Sequence, residues 1–167
     1  SWTNNETFKK AVDNLELLVV QDIYADTDTA QICDVYLPVV SGIKKEGTYI
    51  NTERRLSAMR PALDREENEK TDFEVMLGIG KALGMGSLLD KWQTPRDVFN
   101  LMKECSRNMP CDITGVDYDN LVDSKGIQWP FREGDELKED ERRLFEDGVY
   151  YTPSKKAKFV FETVREN

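Results

Sequence analysis

Apolar residues recur along this chain with two different periods, which predict helices and strands respectively. Near the N-terminus an apolar helical face is formed by Phe8, Ala11, Val12 and Leu15. This spacing of i, i+3, i+4 and i+7 predicts a helix, and Thr3 and Glu6 have the spacing of a capping box at its start. Residues 17–20 are a continuous apolar run, which predicts a strand buried on both faces.

A second short strand is predicted at residues 35–37, where Pro38 ends it. The intervening residues 27–33 are long enough for two helical turns, so the segment predicts a strand–helix–strand unit with parallel strands and a right-handed crossover. Gln21 and Asp22 directly follow the first apolar run. Because ligands bind at the carboxyl ends of parallel strands, these two residues either complete a polar loop or contact a ligand.

Later segments carry helix boundary signals and a turn signal. Thr71 and Glu74 form a second capping box, and an apolar face and Gly84 follow them. Thr94 and Pro95 predict an N-cap followed by proline at the first helical position. Residues 148–163 predict a β hairpin around a Thr-Pro-Ser-Lys turn. The fold class expected from these elements is α/β.

The composition of the chain argues against some classes of binding partner and of catalytic site. The 167 residues include 23 Lys and Arg and 32 Asp and Glu, a net charge of −9, which argues against nucleic acid and anionic membranes as partners. The chain has no histidine. Its three cysteines, Cys33, Cys105 and Cys111, have spacings that suit neither a disulfide framework nor a metal site. We therefore expect reduced thiols, a cytoplasmic location, and no catalytic or metal-ligating residue in this chain.

The candidate binding residues each allow a structural and a functional interpretation. Gln21 and Asp22 together could hydrogen-bond a ribose or a base edge. Lys45 is either a solvated turn lysine or a contact to a phosphate or a base carbonyl. Asp72 follows the N-cap Thr71, so it either stabilises the helix through the dipole or accepts the N–H donors of a guanine edge.

Five strings of the sequence carry a resemblance over essentially the whole chain. They are VVQDIYADTDTAQICDVYLP, KEGTYINTERR, KTDFEVMLGIGKALG, GIQWPF and LFEDGVYYTPSKKAKFVF. In this order they resemble the third domain of molybdopterin oxidoreductases, the catalytic subunits of the dimethyl sulfoxide reductase superfamily. Within that family the strings are most similar to assimilatory nitrate reductases and to formate dehydrogenase alpha subunits.

The resemblance implies an open parallel-sheet α/β/α fold. Residues 1–125 would be part of a domain that binds molybdopterin guanine dinucleotide, and residues 126–167 would be a linker and β hairpin that lead to the last domain. The family cofactor is molybdenum held by two such dinucleotides, usually with a [4Fe-4S] cluster whose ligands are not in this chain. The residues that match the family's dinucleotide contacts are Gln21, Asp22, Lys45 and Asp72.

Three further positions bear on the match. Lys44 stands where the family mostly has Glu, which changes the local charge. Arg54 and Arg55 match a Glu-Arg-Arg string, and we expect a structural ion-pair role for them.

We expect the chain to be a fragment of a nitrate reductase that is inactive alone. The alternatives are a fragment of a formate dehydrogenase alpha subunit and, in another class, a stand-alone nucleotide-binding or interaction domain. The expected partners are the remaining domains of the parent chain and an unidentified electron donor. A homodimer through exposed parent-interface surface is a further expectation.

Overall fold

A computed structural model describes residues 4–137 and 143–161, except for the side chains of residues 122 and 123. The chain forms two compact units. The first contains the residues up to Tyr49 and Ala58–Asn100, and the second contains Ile50–Ser57 and the residues from Leu101 onward. None of the helices in the described ranges is long and apolar enough to cross a membrane.

Helix α1 spans Asn5–Val12. Its N-cap is Asn4, whose Oδ1 accepts a hydrogen bond of 3.0 Å from the backbone amide of Thr7. The predicted capping residue, Thr3, lies outside the described residues. Because the helix is shorter than the apolar pattern, Leu15 lies beyond it and is 53% exposed.

Strands β1 (Val19–Asp22) and β2 (Val35–Pro38) pair in parallel, as the sequence predicts. Gln21 and Asp22 are the last two residues of β1 rather than a loop after it. The prediction of a strand buried on both faces is wrong, since Val20 is the one buried residue of β1. The physical reason is that β1 and β2 form a two-stranded sheet among the described residues, so β1 has an open edge.

The connection between β1 and β2 contains one short 3₁₀ turn, Ala30–Ile32, instead of two helical turns. The preceding threonine and aspartate residues bond the backbone locally. For example, Thr27 Oγ1 accepts a hydrogen bond from the Ala30 amide at 3.3 Å. Such bonds compete with helix formation.

Strands β3 (Gly47–Ile50) and β4 (Arg55–Met59) carry the chain out of the first unit and back into it. With β5 (Ile127–Gln128) they make a three-stranded sheet in the order β3-β4-β5, in which β4 and β5 are antiparallel. The structure is therefore a mixed helix and strand arrangement with two small sheets, compatible with the α/β class. The open parallel sheet with helices on both faces is not seen in the described ranges.

Three helices follow along the chain: α2 (Asp72–Ala82), α3 (Gly86–Leu89) and α4 (Pro95–Ser106). The capping box of α2 is confirmed, because Thr71 and Glu74 exchange both hydrogen bonds. Gly84 follows the helix with a φ of +82°, and Pro95 opens α4. Within α2, a Cβ on Gly80 would lie 2.4 Å from Leu89 Cδ1, so this glycine allows α2 to pack closely against α3.

The second unit has its own core and contains helix α5 (Tyr118–Asp123). The core side chains are Leu56, Ile113, Val116, Tyr118, Leu121, Ile127 and Phe131. Arg54 and Arg55 donate hydrogen bonds to backbone carbonyl oxygens: Arg54 to that of Trp129 and Arg55 to that of Gly126. The expected ion-pair role of the two arginines stays a prediction. The Arg54 guanidinium also lies 5.5 Å from the centre of the Trp129 ring.

The predicted C-terminal hairpin is not formed in the described part of the chain. The turn itself is present, with the Lys155 amide donating to the Thr152 carbonyl at 2.9 Å. No strand flanks it among residues 143–161, and residues 162 and 163 lie outside the described ranges. Phe159 and Phe161 are 96% and 93% exposed, and a lone two-stranded hairpin without a packing partner is marginal in water.

Candidate functional site

Three elements of the first unit each position one of the predicted binding residues. Gln21 lies near the carboxyl end of β1. Lys45 directly follows the 3₁₀ turn Gly42–Lys44, and Asp72 is the first residue of α2.

These three side chains meet at the carboxylate of Asp72. Gln21 Nε2 donates to Asp72 Oδ1 at 2.8 Å, and Lys45 Nζ forms an ion pair with Asp72 Oδ2. The residues are 51 and 27 positions apart in sequence, respectively, from Asp72. We call Gln21, Lys45 and Asp72 the Asp72 cluster.

Asp22 makes its hydrogen bonds within its own loop instead. Its Oδ1 accepts from the amides of Ile23 at 2.7 Å and Tyr24 at 3.3 Å, and its Oδ2 accepts from Thr27 Oγ1 at 3.2 Å. The amide of Tyr24 contributes most to lowering the pKa of Asp22, although burial acts in the opposite direction. The observed contacts therefore give Asp22 a loop-ordering role, and its contact with a ligand stays a prediction.

The charge of the Asp72 cluster is set by its ion pair. The hydrogen bond from Lys45, with a further one from Gln21, lowers the pKa of Asp72 despite partial burial. The carboxylate is thus ionised at neutral pH. Its side chain is 46% exposed while that of Lys45 is 22% exposed, so the carboxylate is the more accessible of the two charged groups.

The donors and acceptors of the cluster suit a guanosine group. An ionised carboxylate has about four acceptor positions, and Gln21 and Lys45 use one on each oxygen. The remaining positions can accept the two N–H donors of a guanine edge. The ammonium of Lys45 has three N–H donors, so it can contact a phosphate or carbonyl oxygen while it holds Asp72.

Two further ion pairs involve residues adjacent or close in sequence to the cluster residues, and sequence reasoning missed them. Lys44 Nζ lies 2.7 Å from both carboxylate oxygens of Glu69, so Lys44 has an acidic partner. Arg65 makes two hydrogen bonds with Glu74, of 2.6 and 3.2 Å. The only sequence signal for these pairs is the excess of charged residues at 64–70.

A cleft of about 360 Å³ lies beside the cluster in the first unit. Its charged and polar lining includes Lys44, Lys45, Glu46, Arg65, Thr71 and Glu74. It reaches the cluster through Lys45 but is not lined by Gln21 or Asp72. In the described part of the chain no three Cys, Asp or Glu residues are grouped so that they could hold a metal ion.

Replacing Glu74 with Gln is expected to make the unfolding free energy less dependent on pH between about 5 and 2. The Arg65 hydrogen bonds, together with those of Thr71, lower the pKa of Glu74 from 4.5 to about 2. A lowered folded-state pKa contributes stability above pH 4.5, and that contribution disappears as the pH falls towards 2. At pH 7 the loss of the capping-box charge should cost about 1 kcal/mol. Urea unfolding at pH 7, 4.5 and 3 measures both effects.

Glu104→Gln is the matched control for this prediction. Glu104, near the end of α4, pairs with Arg107, which follows the helix, and the Glu104 side chain is 63% exposed. An exposed ion pair contributes about 0–1 kcal/mol, so this variant should follow the wild-type pH profile closely. Parallel pH profiles for wild type and Glu74→Gln would contradict the predicted role of Glu74.

Comparison with known sequences identifies a protein family for the segment that contains the Asp72 cluster. Residues 1–82 match the family model described as molybdopterin oxidoreductase. The matched residues include all of Gln21, Asp22, Lys45 and Asp72.

Individual relatives extend the match beyond residue 82. The chain is 37% identical over 121 residues to the F420-dependent formate dehydrogenase 1 subunit alpha of Methanococcus maripaludis, which covers 72% of this chain. It is 32% identical over 135 residues to the assimilatory nitrate reductase catalytic subunit of Bacillus subtilis, which covers 81%. It is 30% identical over 171 residues to the nitrate reductase of Synechocystis sp., which covers 99%. The aligned regions make up 17%, 19% and 23% of the lengths of these three relatives.

Proposed function

Since residues 1–82 place this chain in the molybdopterin oxidoreductase family, we propose that it supplies part of a molybdopterin guanine dinucleotide site in a nitrate reductase. The observation that carries this proposal is the convergence of Gln21 and Lys45 on Asp72. The convergence places an amide group and an ammonium group around one accessible carboxylate.

In this proposal the chain's own residues bind and orient the cofactor. Asp72 accepts the N–H donors of the guanine, and Lys45 bonds a phosphate or the guanine carbonyl. Gln21 holds the Asp72 carboxylate in place, and Asp22 orders the adjoining loop, where its carboxylate can still accept ribose hydroxyls. The molybdenum of the bound cofactor supplies the oxygen-atom transfer that converts nitrate to nitrite. The ligands of the [4Fe-4S] cluster lie elsewhere in the parent chain, so the fragment is inactive alone.

Nitrate is the proposed substrate because the nitrate reductase match extends over 99% of the chain, including its C-terminal segment. Formate is the second candidate, because the 37% identity to a formate dehydrogenase alpha subunit exceeds the identities to the two nitrate reductases above. The deciding experiment is to purify the full-length parent and to assay it with nitrate and with formate. Nitrate reduction without formate oxidation is the expected result, and formate oxidation alone would overturn the choice of substrate.

We also propose that the apolar face of α2 and α3 packs against the remaining domains of the parent. Met76, Leu83 and Met85 line one apolar cleft on this face and are 60%, 73% and 44% exposed, and clustered exposed apolar side chains mark interaction surfaces.

In the isolated chain this face should cause concentration-dependent self-association. Light scattering should show dimers for the wild type and a monomer for Met76→Glu with Leu83→Glu. The paired substitution Leu15→Glu with Leu17→Glu, at other exposed leucines (53% and 58%), is the control and should leave the dimer intact. A wild-type monomer at all concentrations would contradict self-association through this face.

A further inference from the structure

Two consecutive lysines form ion pairs with the same neighbouring segment. Lys44 pairs with Glu69, and Lys45 pairs with Asp72. The Lys44 and Glu69 side chains are only 26% and 29% exposed, so water screens this pair less than it screens a pair on an open surface. The segment that carries Lys45 is thereby joined to the residues that lead into α2.

Glu69 is fixed by contacts that do not involve Lys44. Its Oε2 accepts a hydrogen bond of 2.9 Å from the Glu66 amide. The carbonyl of the next residue, Lys70, accepts one of 2.9 Å from the Val40 amide. The Glu69 carboxylate is therefore ordered by its own loop. Lys44 pairs with a carboxylate whose position does not depend on Lys44.

The backbone amide of Lys45 itself is held weakly, although the Ile43 carbonyl two residues earlier accepts hydrogen bonds from the amides of Ala62 and Leu63 at 2.7 and 3.1 Å. The amide of Lys45 makes a long hydrogen bond of 3.5 Å to the Gly42 carbonyl, at the end of a 3₁₀ turn of only three residues. Such short turns have poor hydrogen-bond geometry. The ion pair of Lys44 with Glu69 fixes the residue next to Lys45. It therefore restricts the positions that the Lys45 ammonium can reach.

We propose that the Lys44–Glu69 ion pair is a positioning device that holds Lys45 against Asp72 and so preorganises the nucleotide site. Lys44 and Glu69 act through Lys45 and are not themselves assigned contacts to the nucleotide. The consequence for nucleotide affinity rests on the proposed function, whereas the effect on the Lys45–Asp72 contact does not.

The test uses two readouts on the 167-residue chain. The first is the pKa of the Asp72 carboxyl, followed by carbon-detected NMR without any ligand. The second is the dissociation constant for GDP, measured by NMR titration. The variants are Lys44→Met and the charge swap Lys44→Glu with Glu69→Lys, and the control is Lys81→Met, which removes an exposed lysine at the end of α2.

Lys44→Met is expected to raise the pKa of Asp72 towards its ordinary value and to weaken GDP binding about fivefold, the factor that corresponds to losing one such ion pair. The charge swap should restore both values, because it re-forms the pair with the opposite polarity. Lys81→Met should change neither. Restoration by the swap also separates positioning from the mere loss of a positive charge near Asp72.

Failure of this inference and failure of the proposed function give different results. If Lys44→Met leaves the Asp72 pKa and GDP affinity unchanged, or if the folded swap variant restores neither, the positioning role is overturned. If wild-type chain does not bind GDP but the Asp72 pKa responds as expected, the positioning stands and the proposed nucleotide site is overturned. If Lys44→Met does not fold, the charge-swap variant decides. A wild-type Asp72 pKa and GDP affinity in the swap variant support the positioning role of the ion pair, and altered values overturn it.

Discussion

Replacing Gly115 with Ala is expected to destabilise the second unit by about 3 kcal/mol or more. A Cβ at this position would lie 2.1 Å from the carbonyl oxygen and 2.5 Å from the carbonyl carbon of Arg132. It would also lie 2.9 Å from Phe131 Cδ1. These are mainly backbone atoms in a packed region, so the chain cannot relieve the overlap by rotating one side chain.

The surrounding contacts increase the cost of any shift. The Gly115 amide donates to the Phe131 carbonyl at 3.0 Å, and the Phe131 amide donates to the Asp112 carbonyl at 2.7 Å. Val116 is 0% exposed and Phe131 is 5% exposed. Moving residues 131–132 away from an alanine would therefore break these hydrogen bonds and open the core of the second unit.

Amide hydrogen exchange during urea unfolding measures this effect separately in each unit. Gly78→Ala in α2 is the matched control, because a Cβ there meets no atom within 4 Å and alanine is favoured over glycine in a helix by about 1 kcal/mol. It should leave the second unit unchanged and stabilise the first. Equal stability of the second unit in wild type and Gly115→Ala would show that the 131–132 segment moves freely, contrary to the structure.

The parts of the fold that the sequence predicted correctly depend on short-range signals. The Thr71–Glu74 capping box, the glycine after α2 and Pro95 at the start of α4 each involve residues within four positions of one another, where backbone geometry decides the outcome. The predictions that failed needed information about neighbours distant in sequence. Whether β1 is buried on both faces, or whether residues 148–161 form strands, depends on which other elements pack against them.

The same distinction applies to the candidate site. Sequence reasoning assigned Gln21, Lys45 and Asp72 separately, and their meeting at one carboxylate could not be deduced from their spacing. Asp22 was paired with Gln21 because the two are adjacent. Adjacent residues in a strand point to opposite faces, and in the structure Asp22 bonds its own loop while Gln21 reaches Asp72. For the ion pairs of Lys44 and Arg65 the sequence offers only the excess of charged residues at 64–70, which does not say which residues pair.

Replacing Asp72 with Asn is expected to weaken GDP binding by about 10- to 100-fold, the largest effect on affinity of any single change in the proposed site. Hydrogen bonds to a charged group contribute about 1.5–3 kcal/mol, which corresponds to this factor. Asparagine keeps the shape of the side chain, but it loses the negative charge and replaces one acceptor oxygen with a donor group. That donor group would face the N–H donors of guanine, and the ammonium of Lys45 would lose its ion-pair partner.

The choice of nucleotide tests the base-recognition part of this prediction. Guanine presents a ring N–H and an amino group to a carboxylate, hypoxanthine keeps only the ring N–H, and adenine lacks this pair of donors. Wild-type affinity should therefore fall in the order GDP, IDP, ADP, and Asp72→Asn should reduce the preference for GDP while it changes ADP binding little. Asp119→Asn removes an aspartate from the first turn of α5, outside the site, and should leave all three affinities unchanged. A folded Asp72→Asn variant that still prefers GDP over ADP by the wild-type factor would show that the carboxylate does not bind the guanine edge. The nucleotide contact would then have to lie in the cleft lined by Lys45.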